Sequence, residues 1–260
     1  MNRIIHWFTS DLRLHDMPSL HAASHAEALL PVYIFSTESE VNSPHGFPRI
    51  GPFRKTFLKQ TLLALKESLQ VKNSELFILE GNPEEILSEL VRIFDINCIH
   101  VEEPIASEEI NCINAVEQAV NIPVRRFESR TFYTEQQLPF ALQQLPDTFT
   151  TFRTLMESSQ GYDVNELVDI DIPPLPISKV TIEHQWTWKD DGIYIKPDTR
   201  SALKAIGGEI EGLKRLHYYT NKTHAIATYK STRNGLIGDV YSSKFSPWLA
   251  LGALSVKHIM

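Results

Sequence analysis

Cysteine is scarce: Cys98 and Cys112 are the only two in 260 residues, and they form no C-x-x-C pair. That excludes a disulfide scaffold and points to a reducing compartment. No apolar run reaches the roughly 18 residues of a membrane-spanning helix. The N-terminus carries Arg3, Asp11 and Arg13 where a signal peptide would have its apolar core. A soluble, cytoplasmic protein with no membrane partner is therefore expected. Glycine-rich phosphate loops are also missing. No G-x-G-x-x-G follows an apolar run and no Walker loop occurs, so a standard dinucleotide or nucleoside-triphosphate site is not supported. No fixed-period repeat is evident, and no metal-ligand set or catalytic residue is assigned. Positive charge is short overall. A net charge of −7 argues against uniform coating of nucleic acid. The shortage is local, however: residues 201–260 hold eight Lys and Arg against Glu209, Glu211 and Asp239, or 8 − 3 = +5, leaving −12 for residues 1–200. A basic end on an acidic body suggests an anionic partner for that end; a solvated helix face is the plainer alternative.

Hydrophobic residues make up 42% of the chain, enough for a sizeable core. Over the first 130 residues they fall in short runs: RIIHWF (3–8), ALLPVYIF (28–35), ELFILE (75–80), INCIHVE (96–102) and the weaker VRRFE (124–128). Such runs suit strands buried on both faces. The segments between them have helical spacing. Phe53, Phe57, Leu62, Leu65 and Leu69 form one stripe after Pro52. Ile86, Leu87, Leu90 and Phe94 form another, with Asn82 as cap and Pro83 at the first helical position. Ser107 is the expected cap of a third helix over 107–120, with Glu108 and Glu109 in its first turn. Strand–helix alternation predicts an α/β fold with a doubly wound, five-stranded parallel sheet, whose ligands lie beyond the carboxyl ends of the strands.

Beyond residue 130 the pattern changes. Residues 147–158 predict a helix capped by Thr148, with Phe149, Phe152 and Met156 on one side. Pro173, Pro174 and Pro176 exclude helix over 169–178, which reads as a linker. From residue 201 a helix is predicted, with Leu203, Ile206, Leu213, Leu216 and Tyr219 on one face and Gly207 and Gly208 weakening its middle. The chain closes on YSSKFSPWLALGALSVKHIM. Ser246 before Pro247 is the usual order of cap and first helical position, and Ser242, Ser243 and Lys244 lie just outside. Hydroxyls, amides and an ammonium converging there would hold a phosphate or pyrophosphate; a capped helix that binds nothing is the plain alternative.

TRNGLIGDVYSSKFSPWLALGALS resembles the start of the flavin-binding domain of the photolyase/cryptochrome family, in its DASH-type branch. GGEIEGLKRLHYY, HWFTSDLRLHDMPSL, FRKTFL, EGNPEEIL and FTTFR carry the same resemblance, from residue 4 to residue 257. Thr9 departs from the family's common WFRNDLRLHD and WFRSDLRLHD, and Ser10 from the first of these; Asp11 and Arg13 remain and are expected to pair. The resemblance implies an α/β antenna domain over 1–132, a long linker over 133–200 and the start of an all-helical FAD domain over 201–260. It implies light-dependent DNA repair or photoreception: splitting of cyclobutane pyrimidine dimers, chiefly in single-stranded DNA, by reduced FAD excited with near-UV or blue light, with methenyltetrahydrofolate as a possible antenna. Carried over residue by residue, the flavin contacts fall on Tyr229, Ser242, Ser243, Lys244, Phe245 and Ser246, and the folate contact on Glu108 or Glu109. Family members continue well beyond residue 260. The resemblance therefore implies a fragment that is inactive by itself and binds FAD weakly. Its tail face of Trp248, Leu249, Leu251 and Leu254 would lack cover, leaving self-association or poor order from about residue 200. An isolated antenna-type or nucleotide-binding module without catalysis is the alternative.

Overall fold

The computed structural model describes residues 2–36, 46–159, 171–175, 198 and 200–260. Five strands, β1 (Arg3–Phe8), β2 (Ala28–Ser36), β3 (Phe77–Gly81), β4 (Cys98–Glu102) and β5 (Val124–Phe127), form one sheet in the order β3-β2-β1-β4-β5. Every pairing is parallel, as the apolar runs predict. Helices α1 (Pro18–Ala23) and α2 (Pro52–Val71) cover one face; α3 (Pro83–Phe94) and α4 (Ser107–Ala119) cover the other. Strand periodicity divides the core. Ile4 and Phe8 join Leu58, Leu62, Leu65 and Leu69 of α2, while Ile5 and Trp7 join Leu87, Leu90 and Phe94 of α3.

Local chemistry explains most helix boundaries. The Asn82 side chain accepts from the Glu84 and Glu85 amides at 2.8 and 3.3 Å, with Pro83 next, as predicted. Thr148 caps α5 (Phe149–Ser159) by accepting from the Thr151 amide at 3.3 Å. Three expectations are corrected. Ser107 is the first residue of α4 instead of its cap, which is Ala106 with no side-chain bond. Phe53 is 72% exposed, because α2 turns this first-turn residue away from the sheet and into a surface cleft. Phe149 is likewise exposed, and Met156 alone of its stripe is buried. Of the proline-rich linker, residues 171–175 are non-helical as predicted. Pro174 accepts from the Leu29 amide at 2.9 Å, and Ile172 packs on the core. Pro176, Trp186 and Trp188 lie outside the described residues.

The segment after residue 200 differs most from expectation. Residues 201–208 are not helical, and α6 spans only Glu209–His217. Gly208 takes φ +111, a conformation that L side chains avoid, and that ends the chain's approach before the helix begins. Gly207 lies so close to α2 that a Cβ there would sit 2.2 Å from the Phe57 carbonyl. A π-helical turn (Tyr218–Lys222), α7 (Tyr229–Thr232) and α8 (Ser246–Ala250) follow.

The tail folds back onto the α/β body, so its apolar face has cover. Trp248, Leu251 and Leu254 are buried among Leu216, Tyr219, Phe245 and the α2 side of the core. The Trp248 indole donates to the Ile206 carbonyl at 3.0 Å. Arg13 does not pair with Asp11. It is fully buried and donates to the carbonyls of His15, Asp16 and Gly252 at 3.1, 3.0 and 2.9 Å, tying the loop after β1 to the tail. The Leu12 amide donates to Leu251 at 3.0 Å. Glu209 accepts from the Leu14 and His15 amides and from His15 Nδ1, while His15 Nε2 accepts from the Ser255 amide and Ser255 bonds Asp16.

Candidate functional site

In a doubly wound sheet the ligand crevice opens where strand order reverses, here between β1 and β4. The tail fills it. Ser10, Arg13, Glu102, Ser129 and Arg130 from the α/β body meet Leu249, Gly252 and Leu254, leaving about 20 Å³. Glu102, at the end of β4, was not singled out from the sequence; as an acid closing an apolar run, it carried the available signal. It accepts from Arg130 Nε at 2.5 Å and from the Ser129 hydroxyl at 2.6 Å. Burial and the Asp11 charge push its pKa up to about 7, against the opposing pull of Arg130 and Ser129. A carboxyl with a raised folded pKa contributes stability that is fully present below its unfolded value and is lost as pH rises through about 7. Urea unfolding of wild type and Glu102→Gln at about pH 5 and about pH 8.5 is expected to show wild type losing about 3 kcal/mol relative to the variant over that interval. A pH-independent difference would contradict the assignment.

Glu108 and Glu109 open α4 as predicted, but each holds an arginine: Glu108 with Arg49 at 2.7 Å and Glu109 with Arg130 at 2.8 Å.

The expected phosphate contacts gather elsewhere. Ser242, Ser243, Lys244, Phe245 and Ser246 line a cavity of about 560 Å³, together with Leu203, Pro247 and Leu249. Tyr229 is not part of its lining; it lies half-exposed on α7. The predicted geometry needs correcting. Ser246 is the first residue of α8, Phe245 occupies the cap position without a side-chain bond, and the helix stops at Ala250. Five residues carry little dipole, so the loop itself supplies the donors. The Lys244 ammonium donates to the Gly238 carbonyl at 2.9 Å and lies 4.2 Å from the Tyr241 ring centre, bracing the loop. Lys244 also takes φ +56, and Phe245 follows in helical geometry. Left-handed then right-handed residues turn successive amides toward one point, an anion-binding concavity.

Sequence reasoning missed Arg215, which organises this loop. It donates to the carbonyls of Asp239, Ser242 and Ser243. Its signal was an arginine on the apolar stripe of Gly212, Leu216 and Tyr219.

A second cleft, of about 570 Å³, lies between α2 and residues 198–205. Phe53 and Phe57 line it beside Arg54, Gln60 and Lys204, with Leu251 at its base.

The chain as a whole matches known proteins in sequence and fold. The DNA photolyase family model matches residues 4–173. The chain is 35% identical over 269 residues to Cryptochrome DASH of Gloeobacter violaceus, covering 98% of this chain and 52% of that protein. It is 35% identical over 266 residues to Cryptochrome DASH of Xenopus laevis, covering 98% and 50%. The crystal structure of Synechocystis sp. PCC6803 cryptochrome superposes with a TM-score of 0.91 at 33% identity, over 100% of this chain and 54% of that one. The chain thus spans about half the length of the curated relatives it matches.

Proposed function

This chain belongs to the DNA photolyase family, and from that premise we propose that it forms the N-terminal half of a light-dependent flavoprotein that splits cyclobutane pyrimidine dimers, chiefly in single-stranded DNA. Within it, residues 1–132 are the antenna domain, 133–200 the linker and 201–260 the start of the helical flavin domain. One observation carries the reading. The five residues matching the family's flavin contacts, Ser242 to Ser246, line one cavity, in a loop whose carbonyls are tied back. Hydroxyls and free amides suit a pyrophosphate there. Bound FAD supplies the light-driven electron for dimer splitting; the chain's own residues hold and orient it and exclude water.

An antenna chromophore belongs to the same reading. Methenyltetrahydrofolate near Glu108 and Glu109 would have to displace Arg49 or Arg130. The 570 Å³ cleft, with Phe53 and Phe57 for stacking and Arg54 and Lys204 for an anionic group, is the better-formed site for an aromatic anion.

The test uses the natural gene product and an oligonucleotide carrying pyrimidine dimers. Dimers are expected to disappear under blue light and persist in the dark, faster in single-stranded than in duplex DNA. Absence of light-dependent loss in both would remove the repair reading. Flavin retention without repair would leave photoreception.

A further inference from the structure

We infer that Arg215 is a positioning residue for the phosphate cradle, holding the peptide groups of residues 239–244 in the orientation that presents amides, and not carbonyls, to an anion; this rests on the flavin reading above. Arg215 lies on α6 and is 6% exposed. Its guanidinium sits 5.4 and 5.7 Å from the ring centres of Tyr218 and Tyr219. Among the described residues it meets no carboxylate. Its donors go instead to Ser243 O at 3.0 Å, Ser242 O at 3.2 Å and Asp239 O. A buried arginine is costly to desolvate, and one that bonds only carbonyls keeps its full positive charge within the loop.

Peptide geometry gives the arrangement its consequence. In a planar trans peptide the carbonyl of one residue and the N–H of the next point opposite ways. With the Ser242 and Ser243 carbonyls drawn onto Arg215, the Ser243 and Lys244 amides point away from it. Both residues line the cavity, and neither amide donates to a described residue. Two further carbonyls of the loop are engaged by side chains, Gly238 by Lys244 and Tyr241 by the Thr232 hydroxyl. Five acceptors that would repel an anion are thus occupied by side chains. Removing Arg215 frees three of them, and the 242–244 peptides can then turn an oxygen toward the cavity.

The probe is inorganic pyrophosphate, titrated into ¹⁵N-labelled protein. In wild type it is expected to shift the Ser243 and Lys244 amide resonances. Arg215→Met should weaken binding about tenfold and silence those amides, the scale of losing charge-assisted positioning. Arg215→Lys, whose ammonium can hold part of the carbonyl set, should recover some of the loss. If the methionine variant lacks a cooperative thermal transition, the lysine variant decides, with about a threefold loss expected. Wild-type affinity and wild-type amide shifts in the folded variants would overturn the inference and leave the flavin reading standing. Pyrophosphate that moves no amide between residues 242 and 246 in wild type would overturn the flavin reading, and the role of Arg215 with it.

Discussion

Replacing Gly252 with alanine is expected to unseat residues 246–260 from the α/β body and to cost more than about 3 kcal/mol of folding stability, in the range reserved for core overpacking and backbone strain. Gly252 has φ +62, and a Cβ there would sit 2.0 Å from the Ser10 carbonyl and 2.6 Å from Asp11 Cα. Both are backbone atoms of the loop after β1, which Arg13 and the Leu12–Leu251 bond fasten to the tail at residues 252 and 251. Neither can yield as a flexible side chain would. Because Arg13 bonds the Gly252 carbonyl itself, moving residue 252 also strips a buried guanidinium of one acceptor. Urea unfolding gives the magnitude, and limited proteolysis gives the location: cleavage should appear within 201–260 while the sheet domain persists. Gly238→Ala is the matched control. Gly238 has φ +95 and no atom within 4 Å of its would-be Cβ, so only the backbone penalty of about 1–2 kcal/mol applies. Equal effects of the two substitutions would contradict the close fit of tail and body.

The parts of this fold that could be read from sequence are those decided locally. Strands β1 to β4 announce themselves as apolar runs because both faces of the sheet are covered there, while the edge strand β5 is the weaker run; Asn82–Pro83 caps α3 through bonds within four residues. Arg13 could not be read. Its partners lie on the loop that carries it and at Gly252, and a nearby Asp11 made an ion pair the natural expectation. Phe53 misled for the opposite reason: helical spacing identifies a face but not what that face meets, and the first turn of α2 meets a cleft. The end of α8 at Ala250 could not be read, because WLALGALS is apolar almost throughout. Trp248 and residues 251–255 are buried, a setting in which periodicity carries little information. Of the candidate site, the sequence carried the residues that line one cavity and not their geometry. Ser242 to Ser246 do converge, but Lys244 braces the loop, and the arginine that orders it sits 27 residues upstream of Ser242.

If residues 242–246 hold the flavin's pyrophosphate, a carboxylate placed among them should exclude it. Ser246 is exposed, lines the cavity and stands at the first position of α8, where an aspartate is compatible with the fold. Ser246→Asp is therefore expected to leave the folded structure intact while placing a negative charge against a phosphate. Such juxtapositions cost several kcal/mol, or at least about a hundredfold in affinity. The most direct measurement is the flavin content of the natural gene product, purified in parallel as wild type and Ser246→Asp and compared by visible absorption after confirming equal thermal transitions. Flavin is expected bound in wild type and absent from the folded variant; a variant that retains flavin to the same stoichiometry would show that these residues do not hold the pyrophosphate.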